Sequence, residues 1–175
     1  MMGIHKVDGY IITIENDTIF CQIQILSNTF NKYDINPLYY TKRIVTFQDK
    51  GIEIRYKPFE IKSFTLTPGD IIRHEIQYAS LIVNGKNCFV RVIDIGAINV
   101  YEFARSSSVA PYSTLYVLKV PDKESLVVTN PGYKLKVLKY LDNLEYFQKG
   151  FEDERQSINT LPSLVKYYNE EQRKE

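Results

Sequence analysis

The side chains that could act as a nucleophile or a base are few and lie far apart along the chain. The 175 residues include only these thiols and imidazoles: Cys21, Cys88, His5 and His74. A catalytic cysteine needs an exposed thiolate beside a positioned base, and neither histidine lies at a recognisable spacing from a cysteine. The sequence therefore predicts two buried free thiols, with one disulfide as the alternative. It predicts no catalytic residue, no metal site and no cofactor.

Arg105 precedes three serines at positions 106–108 and is a candidate for binding an anion. An arginine with nearby hydroxyls can hold a phosphate or a carboxylate. No Gly-rich cradle accompanies these residues, so an ordinary solvated loop is the alternative. The chain also contains no Gly-x-Ser-x-Gly, Walker or His-Glu-x-x-His motif.

Tyrosines cluster in residues 27–42, the longest stretch without a clear strand pattern. A loop of this length inside a compact domain is usually functional or mobile. Its rings could stack on a sugar, a peptide or a partner protein, or simply cover the open end of a sheet. The candidate ligand-binding or partner-binding residues are therefore Tyr33, Tyr39, Tyr40 and Arg105.

Composition excludes several classes of protein. Lys+Arg is 22 and Asp+Glu is 21, for a net charge of +1, which argues against a nucleic-acid binder. The sequence contains no run of about 18 apolar residues, so it predicts no transmembrane helix. The amino-terminal residues also lack the apolar stretch of a signal peptide, so we expect either a protein that stays inside the cell or a signal already removed.

Three turn sequences between β-branched runs predict hairpins. A two-residue Asn16-Asp17 turn gives the first hairpin an almost wholly apolar face, with Ile11 and Phe20 as exceptions on the polar face. Its predicted pairs are Ile14 with Ile19, Ile12 with Cys21, and Tyr10 with Ile23. A Lys50-Gly51 turn predicts the pair Phe47 and Ile54. The Asn84-Gly85 turn predicts these pairs: Val83 with Lys86, Leu81 with Cys88, and Ala79 with Val90.

Further strands are predicted at 60–67, 71–78, 98–103, 114–120 and 125–129, about nine or ten in all. Helical spacing follows from Tyr133 to Phe147, and Leu161-Pro162-Ser163 opens a last helix with Thr160 as its N-cap. The predicted fold is α+β and mainly β: an antiparallel sandwich or partly open barrel over residues 8–130. A tail of two to three helices over residues 131–175 packs on it as part of one structural unit.

Several short motifs are shared with one group of proteins. They are Gly-Tyr-Ile-Ile-Thr at 9–13, Asn-Asp-Thr-Ile at 16–19, residues 56–64, residues 89–101 around Gly96, and the helical tail. In these the chain resembles a group of small uncharacterised envelope or secreted proteins of Bacteroidetes, which carry a signal peptide. The resemblance implies an envelope or periplasmic setting. It implies no known activity and no catalytic residue.

These observations predict a non-enzymatic binding or interaction module of the bacterial envelope. Its partner would be a protein or a small molecule, and not a nucleic acid. Two alternatives remain: a small-ligand carrier with an apolar barrel cavity, and a hydrolase whose site is assembled from distant strands. The expected location is periplasmic or envelope-associated, with the cytoplasm as the alternative.

Overall fold

The computed structural model describes residues 2–28, 31–48, 51–106, 113–129, 132–152 and 157–174. Within these ranges the chain is mainly antiparallel sheet, with α-helices only after the last strand. The strands are β1 (Met2–Thr13), β2 (Thr18–Asn28), β3 (Asn31–Ile35), β4 (Ile44–Gln48), β5 (Ile52–Tyr56), β6 (Ile61–Leu66), β7 (Ile76–Val83), β8 (Lys86–Asp94), β9 (Asn99–Arg105), β10 (Ser113–Lys119) and β11 (Leu126–Val128). The helices are α1 (Tyr133–Tyr140), α2 (Glu145–Glu152) and α3 (Leu161–Gln172).

The chain divides into two compact units. The first unit comprises Met1–Arg91 with Ala104–Ser113, and the second comprises Val92–Phe103 with Thr114–Glu175. In the first unit the strand order is β8-β7-β6-β1-β2-β4-β5, with β3 beside β2. This order does not return to its start, so the sheet is open, and the predicted antiparallel, mainly β fold with carboxy-terminal helices is confirmed.

The core of the first unit is built around stacked aromatic rings. Phe64 lies parallel to Tyr78 at 4.6 Å between ring centroids, and Phe89 meets Phe64 edge-on at 5.1 Å. Tyr40 packs against both Phe64 and Tyr78. Such pairs add stabilisation beyond the burial of their area. Isoleucines from β1 and β2 complete this core.

The helices form the core of the second unit together with β9, β10 and β11. Its fully buried members are Val100, Leu118, Val128, Val137, Phe147 and Val165. The expected continuous helix over residues 133–147 is two helices, because α1 ends in a Schellman motif. The amide of Asn143 donates to the Leu138 carbonyl at 2.7 Å, and Asp142 has a φ of +55°.

Thr160 stands at the N-cap position of the last helix as predicted, but its side chain makes no capping hydrogen bond. A short 3-10 turn over Ile158–Thr160 runs directly into α3, and Thr160 has helical backbone angles. Its hydroxyl donates to the Ser157 carbonyl at 2.7 Å instead of accepting from the first turn of α3. The turn before α3 therefore uses the threonine that was expected to cap the helix.

The first hairpin has a different register from the expected one. Its loop holds three residues rather than two, because Thr13 pairs with Asp17 and Asn16 takes a φ of +75°. As a result Ile11 faces Ile19 and is fully buried, whereas Ile14 and Phe20 are exposed. The apolar face predicted for β2 is correct, and the one predicted for β1 is the opposite face.

The second hairpin also has a three-residue loop. Gln48 pairs with Ile52 and Thr46 with Ile54, one residue away from the expected register, and Gly51 has a φ of +75°. The expected turn residue Lys50 lies outside the described residues. The third hairpin is confirmed, with all three expected pairs and with positive φ at Asn84 and Gly85.

Two strand boundaries also differ from those expected. The predicted strand over 71–78 begins only at Ile76, and Ile72 is buried in the preceding loop, where its carbonyl accepts from the Gly69 amide at 2.8 Å. The segment expected to lack strands contains β3 and a 3-10 turn over Pro37–Tyr39. This turn sets the position of two of the candidate tyrosines.

Candidate functional site

Tyr39 and Tyr40, two of the candidate binding residues, pack on the core of the first unit instead of forming an exposed patch. The Asn36 side chain accepts from the Leu38 amide at 3.0 Å and starts the 3-10 turn that directs Tyr40 inwards. Tyr40 has no exposed surface, and burial raises the pKa of its hydroxyl well above its ordinary value. Tyr39 is half-buried and its hydroxyl accepts from Gln24 Nε2 at 2.5 Å.

Tyr33 and Arg105 contact different residues. Tyr33 is 43% exposed, and the guanidinium carbon of Arg73 lies 4.0 Å from the centre of its ring. That cation–π contact occupies one face of the ring. Arg105 Nε donates to Ser113 Oγ at 3.0 Å, and no described contact joins it to the tyrosines. The four candidates therefore do not form one site, and the serines at 107 and 108 lie outside the described residues.

The cysteines are free thiols without the surroundings of a nucleophile. Burial raises the pKa of Cys21 to about 11, and it raises the pKa of Cys88 as well. A thiol with a raised pKa carries almost no thiolate near neutral pH. His74 is exposed. Among the described residues no cluster of His, Cys, Asp and Glu has a geometry that could hold a metal ion.

A groove on the side of the β1–β2 hairpin away from the core offers a different site. We call it the aromatic groove and define it by Lys6, Asp8, Phe20, Gln22, Phe47 and Gln48, which line a cavity of about 600 Å³. Side chains alternate between the faces of a strand. Val7, Ile11 and Ile23 point to the core. The alternate positions on the same strands therefore point to the groove, and they are Lys6, Asp8, Phe20 and Gln22. Asp8, Gln22 and Phe47 are direct cross-strand neighbours on β1, β2 and β4.

The aromatic groove presents one open ring. Phe20 is 78% exposed, and its ring leans on Tyr10 at 5.8 Å between centroids. The second ring, Phe47, is covered by Lys6, whose Nζ lies 3.4 Å from the ring centre. Phe20 is therefore the ring on which a ligand can stack without displacing a side chain.

Polar groups flank this ring. Gln22 Nε2 lies 3.5 Å from Asp8 Oδ1, at the outer limit of a hydrogen bond, so the exposed carboxylate is left available. The backbone beneath it is fixed, because both the amide and the hydroxyl of Thr67 donate to the Asp8 carbonyl. A smaller cavity of about 220 Å³ shares Lys6, Asp8 and Gln22 and extends to the loop over 67–72. The polar row of Lys6, Asp8 and Gln22 therefore lines two adjoining cavities.

Sequence reasoning did not select this groove, although one signal pointed to it. Phe20 stands out as an apolar residue on an otherwise polar strand face. The other members lie on three strands, and only the true register places Asp8, Gln22 and Phe47 in one row. The arrangement offers an exposed ring for stacking together with hydrogen-bond donors and acceptors for a polar ligand.

Comparisons with protein-family models, with curated proteins and with solved structures found no match to this chain. Each described helix is too short or too polar to cross a membrane.

Proposed function

We propose that the chain is a non-enzymatic binding module of the bacterial envelope, with a periplasmic location, and that the aromatic groove binds a saccharide. The observation that carries this proposal is the exposed ring of Phe20 beside the polar row of Lys6, Asp8 and Gln22. The envelope setting rests on the resemblance of residues 9–19 to Bacteroidetes envelope proteins. The ligand class rests on the chemistry of the groove.

Saccharides present two kinds of surface, and the groove offers a partner for each. An apolar C–H face can lie on an aromatic ring, as Phe20 allows. Each hydroxyl both donates and accepts, so it needs acceptors such as Asp8, donors such as Lys6 and amides such as Gln22. The core of a protein–protein interface is depleted in charged side chains, whereas here they flank the ring. The adjoining smaller cavity favours a ligand of more than one sugar unit.

A catalytic role receives less support. The thiols of Cys21 and Cys88 have raised pKa values, and no hydrogen bond within the described ranges joins a cysteine or a serine to a histidine. A hydrolase would need such a pair or an equivalent pair of carboxylates in one cavity. Among the residues that the structure describes, Asp8 is the only carboxylate that lines the aromatic groove.

The proposal is tested by calorimetric titration of the full chain with maltohexaose, cellohexaose, xylohexaose and chitohexaose. We expect one of these to bind, and we expect Phe20→Ala to weaken that binding about tenfold or more because the stacking surface is lost. Phe59→Ala is the matched control, since Phe59 is also exposed but does not line the groove. Equal losses in both variants, or binding of none of the four, would count against a saccharide site.

A further inference from the structure

The second unit carries a basic groove that the proposed function does not use. Its lining is Lys123, Glu124, Ser125, Leu126, Lys136, Lys139 and Tyr140, and its volume is about 620 Å³. We propose that this groove binds a phosphate group carried on a partly apolar molecule. The loop between β10 and β11 forms one wall, and α1 forms the other.

Helix geometry brings two of the cations together. Lys136 and Lys139 are three residues apart on α1, so they lie on the same helix face. Both are exposed, and neither forms an ion pair with a carboxylate of the described residues. Two ammonium groups are thus available to a ligand in the same groove.

The third cation is already fixed in place. Lys123 Nζ donates to the Tyr140 carbonyl at 2.9 Å and pairs with Asp142 Oδ2 at 2.6 Å. Lys119 Nζ donates in turn to the Lys123 carbonyl, which anchors the same loop. A side chain held by its own protein loses little further rotamer freedom when a ligand arrives.

The charge balance of the groove favours an anion. Three lysines line it, and because Lys123 is paired with Asp142, Lys136 and Lys139 face the carboxylate of Glu124 with an excess of positive charge. Lysine binds phosphate as a point charge, and the described cations that line the groove are all lysines. Leu126 and the ring of Tyr140 offer apolar contact to the rest of the ligand.

The test uses the full chain with three probes: inorganic phosphate, phenyl phosphate, and phosphatidylcholine vesicles that contain phosphatidic acid. We expect phenyl phosphate to bind more tightly than inorganic phosphate because of the apolar contacts. The double variant Lys136→Gln/Lys139→Gln should weaken binding about tenfold or more. The matched control Lys166→Gln/Lys174→Gln removes the same charge from exposed positions outside the groove and should bind as the unaltered chain does.

Each result decides the proposal. Binding of phenyl phosphate without vesicles supports the site with a soluble phosphate ester as its ligand, and binding of vesicles without the free ester supports it with a lipid headgroup. Equal weakening in the two double variants would reduce the effect to general charge attraction and overturn the site. Failure of every probe to bind the unaltered chain would overturn it as well. Far-UV circular dichroism confirms that both variants are folded.

Discussion

At the scale of single residues, Asn169 on α3 has the clearest structural role. It is 1% exposed, its side-chain amide donates to Asp94 Oδ2 and to the Ile98 carbonyl, each at 2.7 Å, and its oxygen accepts from the Ile98 amide at 3.1 Å. Gly96 lies so close that an added Cβ would be 2.5 Å from Asn169 Cγ. One side chain therefore satisfies the backbone of the turn between β8 and β9.

We expect Asn169→Ala to lower the free energy of unfolding by about 2–4 kcal/mol, because it leaves buried polar groups of Ile98 without partners. Gly96→Ala should also destabilise, since Asn169 would have to move. Urea denaturation measures both effects. Gln172→Ala, at an exposed position of the same helix, is the control and should change stability by less than about 0.5 kcal/mol. A change this small for Asn169→Ala would contradict the assigned role.

Cys21 makes the stability of the fold decrease at high pH. Burial raises the pKa of its thiol from 9.0 to about 11, so the folded chain favours the protonated thiol more than the unfolded chain does. This contribution is complete below pH 9.0 and is lost as the pH rises through about 11. We expect the free energy of unfolding to fall more steeply over this range for the unaltered chain than for Cys21→Ser. Urea denaturation at several pH values measures this. If the free energy of unfolding falls equally with pH in the two proteins, the thiol does not contribute.

At the scale of elements, local turn chemistry decided which predictions succeeded. Asn84-Gly85 is the preferred type I′ pair, and its hairpin was predicted in full. The loops that end at Asn16 and Gly51 hold three residues, with the last one at positive φ. The residues of these two loops are compatible with a two-residue loop as well as with a three-residue loop. Since Tyr10, Ile11 and Ile12 are apolar on both faces of β1, the hydrophobic pattern could not select the register.

The same reasoning explains why the fold class was predictable and the site was not. Antiparallel strands and carboxy-terminal helices follow from repeated short patterns that tolerate an error of one or two residues. The aromatic groove depends on cross-strand neighbours, and a register error of three residues removes Asp8 from its place beside Gln22. For Tyr40 the sequence left binding and packing open, because polarity and position in a loop do not reveal that its ring inserts among Phe64 and Tyr78.

At the scale of the whole molecule, the two proposed sites should act independently. The aromatic groove is lined by the first unit and the basic groove by the second, and they share no lining residue. Mutations without shared contacts usually have additive effects. We expect Phe20→Ala to leave the affinity for phenyl phosphate unchanged and Lys136→Gln/Lys139→Gln to leave the affinity for the bound oligosaccharide unchanged. Titration of the triple variant with both ligands measures this. A loss at either site that exceeds the loss in its own variant by more than about 0.5 kcal/mol would show that the sites are coupled.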